Sequence, residues 1–282
     1  MKKYAVFTID FEAFSDTECV ANAGAKPKHE MLDGLEIYLR LLERYHIQAT
    51  IFTLWDVVKS GKDFLKSAIS RGHRMALHGL HHVAPIQQTE EAFRNEVRAA
   101  KELLEKEFGV KVNGYRAPFF SLDSSRLNIL RQLGFRYDAS RMDFDRARHS
   151  ASIDISKYRK PLDETYCDKD FCEFGLAHSK LFGMNYPISG GGYVRLCNWQ
   201  VLKPAIRRYL RQSNCYIFYL HPFELSAQRQ SVIPGLKLYD QFYLHFGRRN
   251  FAAKIESIIQ MLLQEGYEFV TLDELSDIVL QG

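Results

Sequence analysis

No stretch of this chain approaches the roughly 18 consecutive apolar residues that mark a membrane-spanning helix, so none is expected. Cysteine is sparse and lacks a pairing pattern. Cys19, Cys167, Cys172, Cys197 and Cys215 are odd in number and form no Cys-x-x-Cys, which argues against a cysteine zinc site and suits a reducing compartment. All five read as inert. Neither sign of charge dominates: 38 Lys and Arg against 34 Asp and Glu leave a net +4, too mild to imply a nucleic-acid partner. The clearest basic segment, Lys203, Arg207, Arg208 and Arg211, reads as a solvated helix face, with phosphate or an anionic lipid surface as its functional alternative. Internal repeats, low-complexity tracts and linkers are all missing. The run Tyr4-Ala5-Val6-Phe7 after Met1-Lys2-Lys3 has only the outline of a signal peptide, because it is short, meets Asp10 and Glu12, and has no small-residue cleavage site. The expected location is therefore cytoplasmic, with loose contact to the inner membrane face through the basic segment. Gly190-Gly191-Gly192 lacks the Lys-Ser/Thr of a phosphate loop and is expected to be a tight turn.

With 46% apolar and 26% charged residues over 282 positions, the chain can bury one large core as a single domain, residues 1–282. Runs of β-formers at 4–9, 49–55, 75–77, 112–115, 136–139, 216–220 and 267–272 alternate with helical stripes. Those stripes include Leu35, Tyr38, Leu39 and Leu42; Phe93, Val97, Ala100, Leu104 and Phe108; and Phe251, Ile255, Ile258, Ile259, Leu262 and Leu263. Gly72, Gly109, Gly134 and Gly266 close helices ahead of the next strand. Such alternation predicts an α/β fold with a parallel sheet, open or closed. Near 142–188 and 223–248 the rhythm breaks, and both stretches are expected to be irregular insertions, the first lying over one end of the sheet.

Candidate chemistry falls at the predicted carboxyl ends of strands. Asp10-Phe11-Glu12 offers two carboxylates. His78 and His82 stand four apart, with Gly79 allowing the strand to turn and a helical turn bringing both imidazoles to one divalent ion. Arg116-Ala117-Pro118-Phe119, Asp138 and His221 follow at later strand ends. Each is ordinary alone: a strand-end acid usually solvates its own loop, and a lone histidine usually sits satisfied in a core. Together they supply three protein ligands for a metal, a base, a charge clamp and an acid.

This ordered set resembles the polysaccharide deacetylase family (NodB homology domain, carbohydrate esterase family 4) over about residues 4 to 275. His78 and His82 match its His-x-x-x-His motif, Arg116-Ala117-Pro118-Phe119 its Arg-x-Pro-aromatic motif, Asp138 its fourth motif and Leu220-His221 its last. Gly190-Gly191-Gly192-Tyr193 and His221-Pro222-Phe223-Glu224 look closest to a branch found with exopolysaccharide and surface-glycan systems. The commonest first motif ends in adjacent Asp-Asp, whereas this chain has Asp10-Phe11-Glu12; similarity to branches with a spaced acid pair makes Asp10 the base and Glu12 the third ligand.

The resemblance implies a distorted (β/α) barrel of about seven parallel strands and a metal-dependent hydrolase that removes an N-acetyl group from an amino sugar. The ion, held by Glu12, His78 and His82, would be zinc, with cobalt, nickel or manganese as alternatives. Roles carried over by residue are proton acceptance by Asp10, clamping of Asp10 by Arg116, an oxyanion donor at Phe119 beside Pro118, and leaving-group protonation by His221 oriented by Asp138. His81, next to His82, has no assigned role. The implied partner is an N-acetylated sugar or glycan, lipid- or nucleotide-linked, in a cytoplasmic precursor. Deformylation or another non-peptide C–N cleavage is the nearest alternative, and a carbohydrate-binding relative without chemistry is a further one.

Overall fold

The computed structural model describes residues 2–142, 153–181, 183–230 and 232–281. The first strand, β1 (Lys3–Phe11), is its centre. It is followed by α1 (Glu18–Asn22), α2 (Gly34–Glu43), β2 (Ala49–Leu54), α3 (Val58–Ser70), β3 (Arg74–Gly79), α4 (Glu90–Phe108), β4 (Gly114–Tyr115), α5 (Ser124–Gln132) and β5 (Tyr137–Arg141). Five short strands come next: β6 (Arg159–Leu162), β7 (Thr165–Asp168), β8 (Phe171–Gly175), β9 (His178–Leu181) and β10 (Met184–Pro187). The remainder is α6 (Gly191–Leu196), α7 (Trp199–Gln212), β11 (Cys215–Leu220), α8 (Leu238–His245), α9 (Phe251–Gln264), β12 (Tyr267–Phe269) and α10 (Leu272–Gln281).

Ten of these strands make one curled sheet in the order β11-β1-β2-β3-β4-β5-β8-β7-β6, with β12 also on β1, while β9 and β10 form a separate antiparallel pair. Among the described residues its pairings are parallel except β6 with β7 and β7 with β8. The expected barrel is therefore an open half-barrel. It fails to close because β8 is followed by an antiparallel turn-back to β7 and β6 rather than by a strand returning to β11. The flank toward β11 is covered by the next segment instead, where the Ile188 amide donates to Ala177 O at 3.1 Å and the Tyr219 amide to Ser189 O at 3.0 Å.

Period-two alternation along β1 explains how the two faces divide. Ala5, Phe7, Ile9 and Phe11 join the core beneath α2, α4 and α9, with Leu35, Tyr38, Leu39, Val97, Leu104, Ile255 and Ile259. Tyr4 and Val6 turn to the inner face, where Leu272, Leu275 and Val279 of α10 plug the amino-terminal end of the half-barrel. Further along the same face come Thr8 and Asp10, buried but polar, so the inner face passes from apolar base to polar mouth.

The seven expected strands and the three helical stripes are present, except that Leu263 of the last stripe is exposed, and Gly72, Gly109, Gly134 and Gly266 all have positive φ. Four expectations are corrected. The 142–188 stretch is not an irregular insertion: β8 extends the parallel sheet with all five residues buried, while residues 143–152 lie outside the described ones. The 223–248 stretch contains α8. The last strand stops at Phe269 and the chain continues into α10, since Leu272, Leu275, Ser276 and Val279 give that segment a helical buried stripe. Cys167 and Cys172, read as inert thiols, face each other across β7 and β8 and form a disulfide, which removes the argument for a reducing compartment.

Gly34 ties this frame to the mouth of the half-barrel. A Cβ there would lie 1.8 Å from the carbonyl oxygen of Pro222, a backbone atom that cannot swing aside. Gly34→Ala should lower unfolding free energy in urea by about 1–3 kcal/mol, the usual cost of overpacking. An unchanged denaturation midpoint would show that α2 and the Pro222 loop can part freely.

Candidate metal and catalytic site

The carboxyl ends of the parallel strands deliver the candidate residues to one place. Glu12 sits one residue beyond β1, where its amide turns back to Asp10 O at 3.1 Å. His78 is the penultimate residue of β3; after Gly79, at φ 121°, the chain bends and the Val83 amide closes on His81 O at 2.8 Å. This bend, not the expected helical turn, brings His82 round. His82 Nε2 lies 2.8 Å and His78 Nε2 3.3 Å from Glu12 Oε2.

Ligand atoms of Glu12, His78 and His82 all fall within 4.8 Å of one another. Two observations bear on whether a divalent ion fits this set. His78 Nδ1 is 2.8 Å from Arg116 O; a carbonyl only accepts, so Nδ1 carries the proton and the Nε2 lone pair faces Glu12. The donor set itself, two imidazoles and one carboxylate, is that of a zinc site with an open fourth position. These residues fit the ion. His81 does not join them: it is exposed, with Nδ1 2.9 Å from Asp56 Oδ2.

Charge in the cluster is strongly coupled. Burial by itself would raise the Glu12 carboxyl, but His82, His221 and the contacts from His78 and His82 hold it well below the usual carboxylate range. Burial opposes charge on His221, yet Glu12, Glu224 and Asp10 raise its pKa to about 9. His82 is raised against burial by Glu12.

Arg116 is fully buried and hydrogen-bonds to two strands, β1 and β5. Its Nη1 donates to Asp10 Oδ1 at 2.7 Å and Thr8 Oγ1 at 2.9 Å, and its Nε donates to Ala139 O at 3.0 Å. Phe52, Phe120 and Tyr219 enclose the guanidinium, with ring centres 4.1, 5.3 and 5.6 Å away. Asp10 Oδ2, the atom left over, accepts no hydrogen bond among the described residues and lies 4.0 Å from His221 Nε2. Pro118 and Phe119 follow Arg116 directly; Phe119 and Phe120 both hold left-handed φ, 58° and 56°, and the Phe119 ring packs on His82 at 4.4 Å. Such backbone is costly and concentrates at functional sites.

Asp138 is not placed to orient His221. Its oxygens accept from the Ser140 amide at 2.7 Å and Ser140 Oγ at 2.9 Å, and Ser140 Oγ in turn accepts the Ala117 amide at 2.8 Å. Asp138 thus braces the Arg116–Phe119 loop. The carboxylate facing His221 Nδ1, at 3.6 Å, belongs to Glu224, a residue the motif reading quoted without a role. Arg195, paired with Glu224 at 3.1 Å, was also missed, since an arginine on a short helix carries no sequence signal for burial.

Beside Asp138 on the next strand sits Glu173, also fully buried. Burial pushes Asp138 up to about 6, and burial plus Asp138 pushes Glu173 well above the usual range. An acid whose folded pKa is raised contributes its stability at low pH and loses it as pH rises through that value. Glu173→Gln keeps a neutral partner for Asp138, so the melting temperature of the variant should gain on wild type between pH 5 and pH 8. A difference, variant minus wild type, that stays constant or falls over this range would show that the two carboxyls do not share a proton.

Metal content offers a separate check: His78→Ala and His82→Ala should each abolish stoichiometric zinc uptake measured by atomic emission, while His81→Ala should retain it. Uptake by both of the first two variants would remove the site.

Residues 33–137 match the family described as Polysaccharide deacetylase, and residues 146–277 match a Domain of unknown function (DUF3473). A Peptidoglycan deacetylase of Helicobacter pylori is 29% identical over 112 residues, which are 40% of this chain and only 38% of that protein. Among solved structures, a putative polysaccharide deacetylase from Mycobacterium smegmatis has a TM-score of 0.63 at 18% identity, covering 99% of this chain and 90% of that one. A carbohydrate esterase family 4 pseudoenzyme from Bacillus anthracis has a TM-score of 0.56 at 13% identity, covering 98% of this chain and 66% of that one. At such identities these two likenesses speak for the fold.

Proposed function

We propose that this chain, whose residues 33–137 match the polysaccharide deacetylase family, is a metal-dependent hydrolase removing N-acetyl groups from amino sugars of a glycan or its precursor. The observation that carries this reading is the set of three ligand atoms with an unpartnered, buried Asp10 oxygen on one side and His221 on the other. A divalent ion held by Glu12, His78 and His82 would supply Lewis-acid polarisation of the acetyl carbonyl.

The chain's own residues account for the proton movements. Asp10, fixed by Arg116, accepts the proton of the attacking water through Oδ2 as the new C–O bond forms. The left-handed Phe119 backbone, next to Pro118 and braced by Asp138 through Ser140, is where an amide donor would meet developing negative charge. His221 Nε2, 3.8 Å from Glu12 Oε1, then gives a proton to the sugar nitrogen as the C–N bond breaks, leaving acetate and a free amine. A carbohydrate-binding protein without chemistry would have no use for an acid and a base flanking a metal site.

Acetate release from N-acetylglucosamine oligomers by zinc-loaded protein is the direct test, run beside formate release from N-formyl analogues. Asp10→Asn should keep zinc and lose nearly all turnover, because an amide cannot take up the water's proton, whereas Glu12→Ala should weaken zinc binding. His221→Ala should keep zinc and fall by about 10²–10⁴-fold. Exchange of the first two phenotypes would reverse the roles of Asp10 and Glu12, and no hydrolysis of any acyl sugar by wild type would defeat the reading.

A further inference from the structure

Glu224 takes no part in the proton movements above, yet its surroundings are those of a built device. Its side chain is fully enclosed. Oε1 accepts from Arg195 Nε at 3.1 Å; Oε2 accepts the His221 backbone amide at 3.1 Å and faces His221 Nδ1 at 3.6 Å. Arg195, equally enclosed, donates its other nitrogens to Tyr243 O at 2.7 Å and to Phe246 O, which anchors the carboxylate from behind. The triple glycine, expected as a tight turn, instead opens α6, and its middle member explains the requirement. A Cβ on Gly191 would fall 2.2 Å from Glu224 Oε2, so a side chain there would displace the carboxylate.

A buried ion pair is weak evidence for stability, because desolvation offsets much of its attraction. Here the pair places a fixed negative charge behind one nitrogen of one imidazole. We propose that Glu224, held by Arg195, is a positioning residue for His221: it keeps the ring with Nδ1–H toward itself and Nε2 toward Asp10 and Glu12. Glu224 Oε2 is the carboxylate oxygen nearest the ring and can only accept, so Nδ1, 3.6 Å from it, is the nitrogen it holds protonated. Nε2 is then the nitrogen that exchanges protons with the site, 4.0 Å from Asp10 Oδ2 and 3.8 Å from Glu12 Oε1. At 3.6 Å the Nδ1 contact is longer than a hydrogen bond, and such contacts tighten when substrate assembles the site. Phe223, stacked 5.9 Å away, and Tyr219, edge-on at 5.8 Å, limit the ring's other movements.

This assignment rests on His221 acting as the acid, and it predicts a dependence on the leaving group. An amine needs a proton when the C–N bond breaks; 4-nitrophenolate leaves an ester without one. Glu224→Gln should therefore lower kcat on N-acetylglucosamine oligomers at least tenfold further than on 4-nitrophenyl acetate, with KM and zinc content unchanged. Equal falls on both substrates, or none, would overturn the proposal. A second measurement needs no activity. Long-range ¹H–¹⁵N spectra of zinc-loaded wild type, with His221 assigned through His221→Gln, should show a proton on Nδ1, and a bare Nδ1 would overturn the proposal. Absence of acetate release by wild type would count against the deacetylase reading alone, since the spectrum decides the role of Glu224 by itself.

Discussion

The contact between Arg116 and Asp10 is the constraint on which the rest of the site depends. Both groups are buried, and breaking such a pair by removing one partner costs about 3–5 kcal/mol because the survivor keeps its desolvation penalty. To satisfy Arg116, β1 must supply Thr8 and Asp10, β5 must supply Ala139 O, and β2 and β11 must supply the aromatic walls Phe52 and Tyr219. Arg116 O in turn sets the proton of His78, so the charge clamp on one side of the site and the ligand tautomer on the other are fixed by one residue. The half-barrel's curl and register serve this convergence, setting Thr8 and Asp10 beyond Tyr4 and Val6 on the same face of β1.

The site also joins regions that match different families. His78, His82 and Arg116 lie in the stretch matching Polysaccharide deacetylase; Arg195, His221 and Glu224 lie in the stretch matching the Domain of unknown function; Asp10 and Glu12 precede both. Physically there is no division, since β1 pairs with β2 on one side and β11 on the other along most of its length.

Much of this was legible in the sequence because it rests on local pattern. Strand runs, helical stripes and helix-closing glycines are short-range signals, as is the spacing of His78 and His82; Glu12 comes from the family resemblance, and the bend that gathers the three stands where a helical turn is expected. What was not legible depends on tertiary proximity. Asp138 stands at the right strand end, but its carboxylate is taken by Ser140, so a residue three places after His221 does the facing instead. The triple glycine reads as a turn until Glu224 is seen against it. Strand β8 is buried on both faces and short, with Glu173 inside it, so neither alternation nor length marks it as part of the sheet. Cys167 and Cys172 pair because β7 and β8 set them opposite one another, a register that spacing alone does not announce.

X-ray absorption at the zinc edge of the zinc-loaded protein addresses the central claim without reference to any substrate. The account predicts two imidazole nitrogens at about 2.0–2.1 Å, oxygen ligands at about 2.0–2.2 Å and no sulfur, with one imidazole fewer in His82→Ala. A sulfur shell near about 2.3 Å, or an imidazole count that His78→Ala and His82→Ala leave unchanged, would contradict it.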